Sequence, residues 1–478
     1  MRAFFMSYKK SESVTQGSLF PVSLDELIPA DHSVRVIAAY VDHLALAKLG
    51  FAKAVTKATG RPPYDPSDLL KLYLYGYLQR IRSSRRLEAE CQRNVEVMWL
   101  LGRLAPDFKT IAEFRRLNRT AFVATCREFV QFCRRAQLIT GELVAIDGSK
   151  FQAAASHRQH VTPAKLVKQH AALEQQIHQY LTTLDQHDQT EKADSIDADA
   201  VRAALQLLQD QQQKNLAQQV HMREQNLTQL IKTEPDARMM RTATGKKVSY
   251  NVQTAVDTTH SLIVHHEVTQ AGSDNQQLLP ISIAAKGVLA QDNLTVVADA
   301  GYSNGEHFAT CEREKINAYV PANRAVNHQG EVPHFDRTEF HYEAETDTFC
   351  CPNQKHLQRK QMNKGAIIYA AQENDCHACP LKPQCTDASR RYLTVHAHED
   401  AFARMTIRLK QRPEMMRIRR ATVEHPFGNL KQWVFGNGRF LLWGLAGAET
   451  EMALGCMAYN MKRAMNVLGN QKMMALLA

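Results

Sequence analysis

No apolar run in the chain reaches the roughly 18–20 residues that a membrane-spanning helix needs, although 44% of its 478 residues are hydrophobic. The opening MRAFFMSYKK is apolar only from Ala3 to Met6, far short of the core of a secretory signal. Acidic residues are in deficit, 49 Asp and Glu against 59 Lys and Arg, which leaves a net charge of +10. These shortages exclude a membrane protein and point to a soluble cytosolic one whose basic surplus favours a polyanionic partner. In that compartment the ten cysteines are not expected to pair as disulfides. The length exceeds one ordinary core, so two or three domains are expected.

The distribution of charge says more than its sum. From Arg404 to Arg439 nine basic residues face two acids, Glu414 and Glu424, and from Arg80 to Arg119 ten face five. Two such blocks suit two contact surfaces for a phosphate backbone, whose affinity comes from released counterions. Solvated helix faces are the plain alternative.

Residues 1–140 read as an N-terminal helical, DNA-binding domain. Asp65-Pro66 before SDLLKLYLYGYL offers an N-cap followed by proline at the first helical position. Thr110-Ile111-Ala112-Glu113 reads as a capping box. Arg82, Arg85, Arg86, Arg115, Arg116 and Arg119 fall on polar faces. From Glu142 the pattern changes. ELVAIDGSKFQA, SYNVQTAVD, SLIVHHEVT, NLTVVADAG and INAYVPA read as strands, and DNQQLLPISIAAKGVL reads as a helix opened by Asp274. Three strands, a helix, a strand, a helix and a strand is the order of an RNase H-like α/β core, an order that several α/β folds share. That core is assembled from 141–155, 241–322 and 401–478. Residues 156–240 interrupt it with two long helices, read as a coiled-coil-like hairpin joined by the acidic linker around Asp185–Asp199. The histidines there follow no ligand spacing. Residues 323–400 form a second, cysteine-bearing insertion.

Three carboxylates stand out. Asp147 closes the apolar run Val144-Ala145-Ile146 and Asp299 closes Leu294 to Ala298, each followed by turn residues. Glu424 lies in a helical stretch from Met415 to Trp433, broken only by Pro426 and Gly428. A lone strand-end Asp is more often a turn cap. Three in this order suit phosphodiester chemistry, in which carboxylates hold two Mg²⁺ ions about 3.5–4 Å apart.

At these residues the sequence resembles the DDE transposases of bacterial insertion sequences, over nearly its whole length. VAIDGSK matches the first catalytic motif and ADAGYS the second, with the Asp-x-Gly-Tyr of one branch. RRATVEHPFGNLKQW matches the third, where Arg420, Glu424 and Lys431 fit an Arg-x3-Glu-x6-Lys signature. The tyrosine that begins that signature is replaced by Arg417, a departure that puts its phosphate contact in doubt unless the cation serves. RPPYDPSDLLKLYLYGYL and DFKTIAEFRRLNR resemble the family's N-terminal region. The resemblance implies that Asp147, Asp299 and Glu424 bind two Mg²⁺, with Mn²⁺ able to substitute. It also implies that Arg420 and Lys431 hold phosphates, and that the protein dimerises on DNA in the bacterial nucleoid. Trp433 reads either as a stacking platform for a displaced base or as a core residue.

Cys351-Pro352, Cys376-x2-Cys379-Pro380 and Cys385 have the spacing of a zinc knuckle, with buried or metal-free thiols as the alternative. The expected activity is binding of terminal inverted repeats, cleavage at the element ends and strand transfer into target DNA. A nuclease of the same fold, or a DNA-binding protein that has lost catalysis, are the rivals.

Overall fold

The computed structural model describes residues 22–55, 62–189, 198–322, 334–335, 337–363, 366–396 and 398–478. The opening MRAFFMSYKK and most of the acidic linker lie outside them. The chain forms two compact units, one up to Asn118 together with Met465–Ala478, the other Arg119–Ala464.

The first unit is helical in its described residues. Its centre is the helix Pro66–Leu78, buried at ten positions, Tyr73, Tyr75 and Tyr77 among them. A helix apolar on all sides is stable only when neighbours surround it. The Tyr73 hydroxyl meets its polar requirement by donating to the Ile111 carbonyl at 2.8 Å. Asp65 caps this helix and Pro66 opens it, as the sequence indicates. The Phe108–Leu117 helix begins one turn earlier than its capping box implies. Asp107 is the N-cap and accepts from the Thr110 amide at 2.8 Å. An Asp is as good a cap as Thr, and it leaves Thr110 inside the first turn while Glu113 pairs with Arg116.

The second unit is built on a six-stranded mixed sheet. Its strands are β1 (Leu143–Gln152), β2 (Arg238–Thr242), β3 (Gly245–Asp257), β4 (Ile263–Thr269), β5 (Leu294–Val297) and β6 (Ile316–Tyr319). β1 pairs antiparallel with β3 and parallel with β5, and β5 continues parallel to β6. β2 and β4 both pair with the far side of β3. With helices Leu278–Leu289 and Gly305–Arg313 between the later strands, the five expected strands and two helices follow in the expected order, and β2 adds a fourth strand ahead of the first of these helices. The edge strand β4 is covered by the helix Leu445–Leu468, whose Asn460 side chain bonds both the amide and the carbonyl of Ile263. Exposed edges invite pairing with other chains, and such a cover removes the invitation.

Two local expectations change. β1 does not stop at Asp147 but runs on to Gln152, because β3 supplies partners as far as Ser249. The Leu278–Leu289 helix is not opened by Asp274: its N-cap is Gln277, without a side-chain cap bond. The Asp274 carboxylate instead accepts from Lys150, Asn251 and Gln253.

Helices Pro163–Gln189 and Ala198–Glu224 pack on each other, closed at their base by a short ladder between His160–Val161 and Leu230–Ile231. Within 334–396 the described residues form a five-stranded antiparallel sheet. Phe340, Phe349, Leu357, Tyr369, Ala371 and Leu393 are its core, with Cys351, Cys376 and Cys385 packed against them.

Candidate active site

Register alone brings Asp147 and Asp299 together. Ala145 stands beside Val297 in the parallel pairing of β1 and β5. Two residues further along the chain from each lie the two aspartates, Asp147 still within β1 and Asp299 just past the end of β5. β5 ends at Val297, and Asp299 turns to cap a short 3₁₀ turn by accepting from the Gly301 amide at 2.8 Å. Asp147 accepts from the Gly148 amide at 3.0 Å.

The helix Glu414–Asn429 crosses this face, with Met415 and Val423 packed on Ala145, Val297 and Tyr319. Its Arg419 reaches both carboxylates, placing Nη2 2.6 Å from Asp147 and 3.3 Å from Asp299. Burial pushes Asp147 up to about 6; Arg419 opposes that shift and the charge of Asp299 reinforces it.

Beneath the pair lies a polar network. Asp274 accepts from the Asn251 and Gln253 amides, each at 2.7 Å, and pairs with Lys150 at 3.2 Å. The buried Tyr302 hydroxyl donates to the Gln253 carbonyl oxygen. Gly148 runs against this network: a Cβ there would stand 2.3 Å from Gln253 Nε2 and 2.7 Å from Asp274 Oδ1.

The other residues singled out from the sequence are distributed differently. Glu424 is exposed, as are Arg417 and Arg420, while the buried face of their helix carries Met415, Thr422, Val423, Pro426 and Phe427. The helix becomes a π-turn at Leu430–Val434, so seven residues no longer amount to two regular turns. Lys431 is half-buried, its ammonium 5.4 Å from the Phe151 ring centre. Burial lowers its pKa and the Asp147 charge partly offsets that. Trp433 has the Lys462 ammonium 3.8 Å from its ring centre. In the helical unit Arg115 lies over the Tyr73 ring, and Arg116 pairs with Glu113 at 2.6 Å.

Cys351, Cys376, Cys379 and Cys385 line one cavity of about 30 Å³. Cys351 Sγ accepts from the Lys355 amide at 3.3 Å, and Cys379 Sγ accepts from Asn353 at 3.4 Å. Burial pushes the Cys385 thiol up to about 11, and Cys376, Cys351 and Cys379 add to the shift. Among the described residues no group of three or more His, Cys, Asp or Glu side chains stands ready to hold a metal ion. At the aspartates, Arg419 fills the space between two of the three candidate carboxylates.

Residues 22–117 match the family described as Transposase domain (DUF772), and residues 228–461 match Transposase DDE domain. The chain belongs to the DDE transposases. The transposase is therefore a metal-dependent enzyme of DNA transposition, and DNA is its partner. Asp299, Glu424, Arg420 and Lys431 fall within the matched DDE segment, whereas Asp147 precedes it and comes to the site through strand pairing. No curated protein matches. Among solved structures, the cryo-EM structure of a piggyBac transposase synaptic complex with hairpin DNA aligns over 94% of this chain and 79% of that one. With 8% identity and a TM-score of 0.30, that likeness carries no argument. No helix among the described residues is long and apolar enough to cross a membrane.

Arg419, Asp274, Gln253 and Tyr302 were not singled out from the sequence as site residues, although Asp274 was read as a helix start and Tyr302 as part of the second motif. Arg419 had a signal: it shares the buried face with Met415, four residues before it, and with Thr422 and Val423, three and four residues after. Tyr302 stood in the Asp-x-Gly-Tyr motif without a role of its own, and nothing local tied Asp274 or Gln253 to the site.

Proposed function

We propose that this transposase binds the terminal inverted repeats of its mobile element, cleaves the DNA at the ends, and transfers the freed 3′-hydroxyls into target DNA. The observation that carries the reading is the convergence of Asp147 and Asp299, from neighbouring parallel strands, on one cation. Hard oxygen donors that already hold a positive group fit Mg²⁺, or Mn²⁺ in its place. When bound, such ions activate the attacking oxygen and stabilise the leaving one. Glu424 is the third ligand in this reading, from an exposed position on the crossing helix. An RNase H-like core is supported by β1 lying between antiparallel β3 and parallel β5.

Each cation has a role in the same scheme. Lys431, close enough to feel the Asp147 charge, contacts the phosphate next to the scissile bond. Arg417 and Arg420 extend the phosphate track along the exposed side of their helix, and Arg115 and Arg116 belong to the surface of the N-terminal helical, DNA-binding domain. Trp433 is a platform for a base. Cys351, Cys376, Cys379 and Cys385 hold structural Zn²⁺, supported by their shared cavity and by N–H donors aimed at two sulfurs. Two copies act together as a homodimer on DNA, since two element ends have to be joined to one target.

Incubating the full-length protein with labelled element ends, target plasmid and magnesium tests this directly. Cleaved ends and joined products are expected. Asp147→Ala, Asp299→Ala and Glu424→Ala should each reduce both by about a thousandfold or more, with end binding largely intact. Wild-type cleavage in any one variant removes that residue from the site. Cleavage without joining would favour a nuclease of the same fold, and binding without cleavage a DNA-binding protein.

A further inference from the structure

The cation now between the aspartates is supplied by the chain itself. Arg419 points inward from the crossing helix, with its side chain 17% exposed, while Asp147 and Asp299 are 22% and 47% exposed. The contact is not the forked pairing of two guanidinium nitrogens with one carboxylate, which is the strong form of such a bridge. A single nitrogen, Nη2, serves both carboxylates, and the buried Nε has no partner. A buried donor without a partner is a cost that the pairing has to offset. Arg419 is thus placed by charge and by its helix, with a loose grip on the more exposed aspartate.

From this geometry we infer that Arg419 and the divalent metal compete for one place, so that metal entry requires the guanidinium to leave the Asp147–Asp299 pair. The inference rests on reading those aspartates as metal ligands. Two like charges side by side on neighbouring segments repel, and a built-in cation offsets the repulsion and keeps both carboxylates turned toward one point. A metal of twice the charge takes over the same oxygens. The expelled guanidinium remains tethered beside the pair, where a DNA phosphate is its complementary charge. Arg419 is accordingly a positioning residue in the metal-free protein, and its displacement sets the affinity for the metal.

The test needs no catalysis. Mn²⁺ binding to the full-length protein without DNA is measured by the electron paramagnetic resonance of the free ion. Arg419→Gln, which keeps a polar side chain but removes the charge, is expected to tighten Mn²⁺ binding about tenfold, equivalent to about 1.4 kcal/mol. Arg419→Lys, whose ammonium cannot span both carboxylates as readily, should fall between Gln and wild type, and it preserves the test if the Gln variant folds poorly. Arg412→Gln removes an equal charge from an exposed arginine paired with Glu414 and should leave the constant at its wild-type value. Unchanged or weaker binding in both Arg419 variants overturns the inference, as does equal tightening in Arg412→Gln, which would mark a general charge effect. Asp147→Asn separates the two levels. If it binds Mn²⁺ as wild type does, the ligand assignment itself fails; if it loses binding while the Arg419 variants are unchanged, only the competition fails.

Discussion

The carboxylate pair and the cysteine cluster are two candidate metal sites in one compact unit, built in opposite ways. Asp147 lies within β1 and Asp299 two residues past the end of its parallel neighbour β5, so their spacing follows from a backbone ladder and needs no metal to exist. Their charges are offset by Arg419. The four thiols sit on short connections and one short helix around a cavity of about 30 Å³ that Lys355, Lys382 and Arg391 also line, against a small apolar core. A site made by the sheet can exchange its occupant, which suits metals that must also meet substrate. A site made by loops depends on its occupant for order, which is the behaviour of structural zinc.

The largest expected effect tests the loop-built side of that contrast. Full-length protein purified without chelator should carry about one tightly held zinc per chain, and Cys376→Ser should carry essentially none and melt at a lower temperature. Metal analysis that finds no zinc in the wild type would remove the contrast, leaving four half-buried, metal-free thiols. Zinc at full content in Cys376→Ser would remove that cysteine from the site.

A smaller effect sharpens the other side. Burial pushes Asp147 up to about 6 in the folded protein, above its ordinary value near 4. A raised carboxylate is stabilising while protonated, so its contribution is fully present below about pH 4 and is lost as pH rises through about 6. Asp147→Asn lacks that loss. It should therefore be more stable than wild type at pH 7 by up to about 2–3 kcal/mol, with the difference shrinking toward pH 4. Denaturant melts of both proteins at pH 4.5 and 7 measure this. A constant difference across that range would mean that Arg419 compensates the buried charge fully.

The smallest effect separates metal holding from phosphate holding. Lys431→Ala should weaken binding to cleavage-site DNA and flatten the plot of log affinity against log salt by roughly one unit. Magnesium dependence should not move, since one cation does not ligate another. An unchanged slope would leave Lys431 with only its place over the Phe151 ring.

Much of this was readable in one dimension, because some signals are local. The apolar run that ends in Asp299 reveals a strand end, since burial demands the run and the end of pairing permits the charge, whereas the run that ends in Asp147 marks only the end of burial, because β1 stays paired as far as Gln152. Asp65-Pro66 reveals a helix start, because the cap and the fixed proline dihedral both act within one turn. The cysteine spacing reveals a cluster, because a loop of two residues restricts where its thiols can point. Where two local signals competed, spacing alone failed. Asp107 took the cap expected of Thr110, and Asp274 found three side-chain donors instead of a helix to open.

By itself, then, the sequence determined the family and most of the succession of strands and helices, and it singled out the acidic and thiol residues as candidates, all from neighbours along the chain. Only the tertiary structure decided that Arg419, and not Arg420 beside it, turns toward the aspartates. One residue along a helix rotates a side chain by about 100°, which separates the face packed on Ala145 and Val297 from the face in water. It likewise decided that Asn251 and Gln253 on β3, Asp274 before the following helix and Tyr302 after β5 close one network under Gly148. Those contacts join residues far apart in sequence, and the sheet's register sets which of them meet.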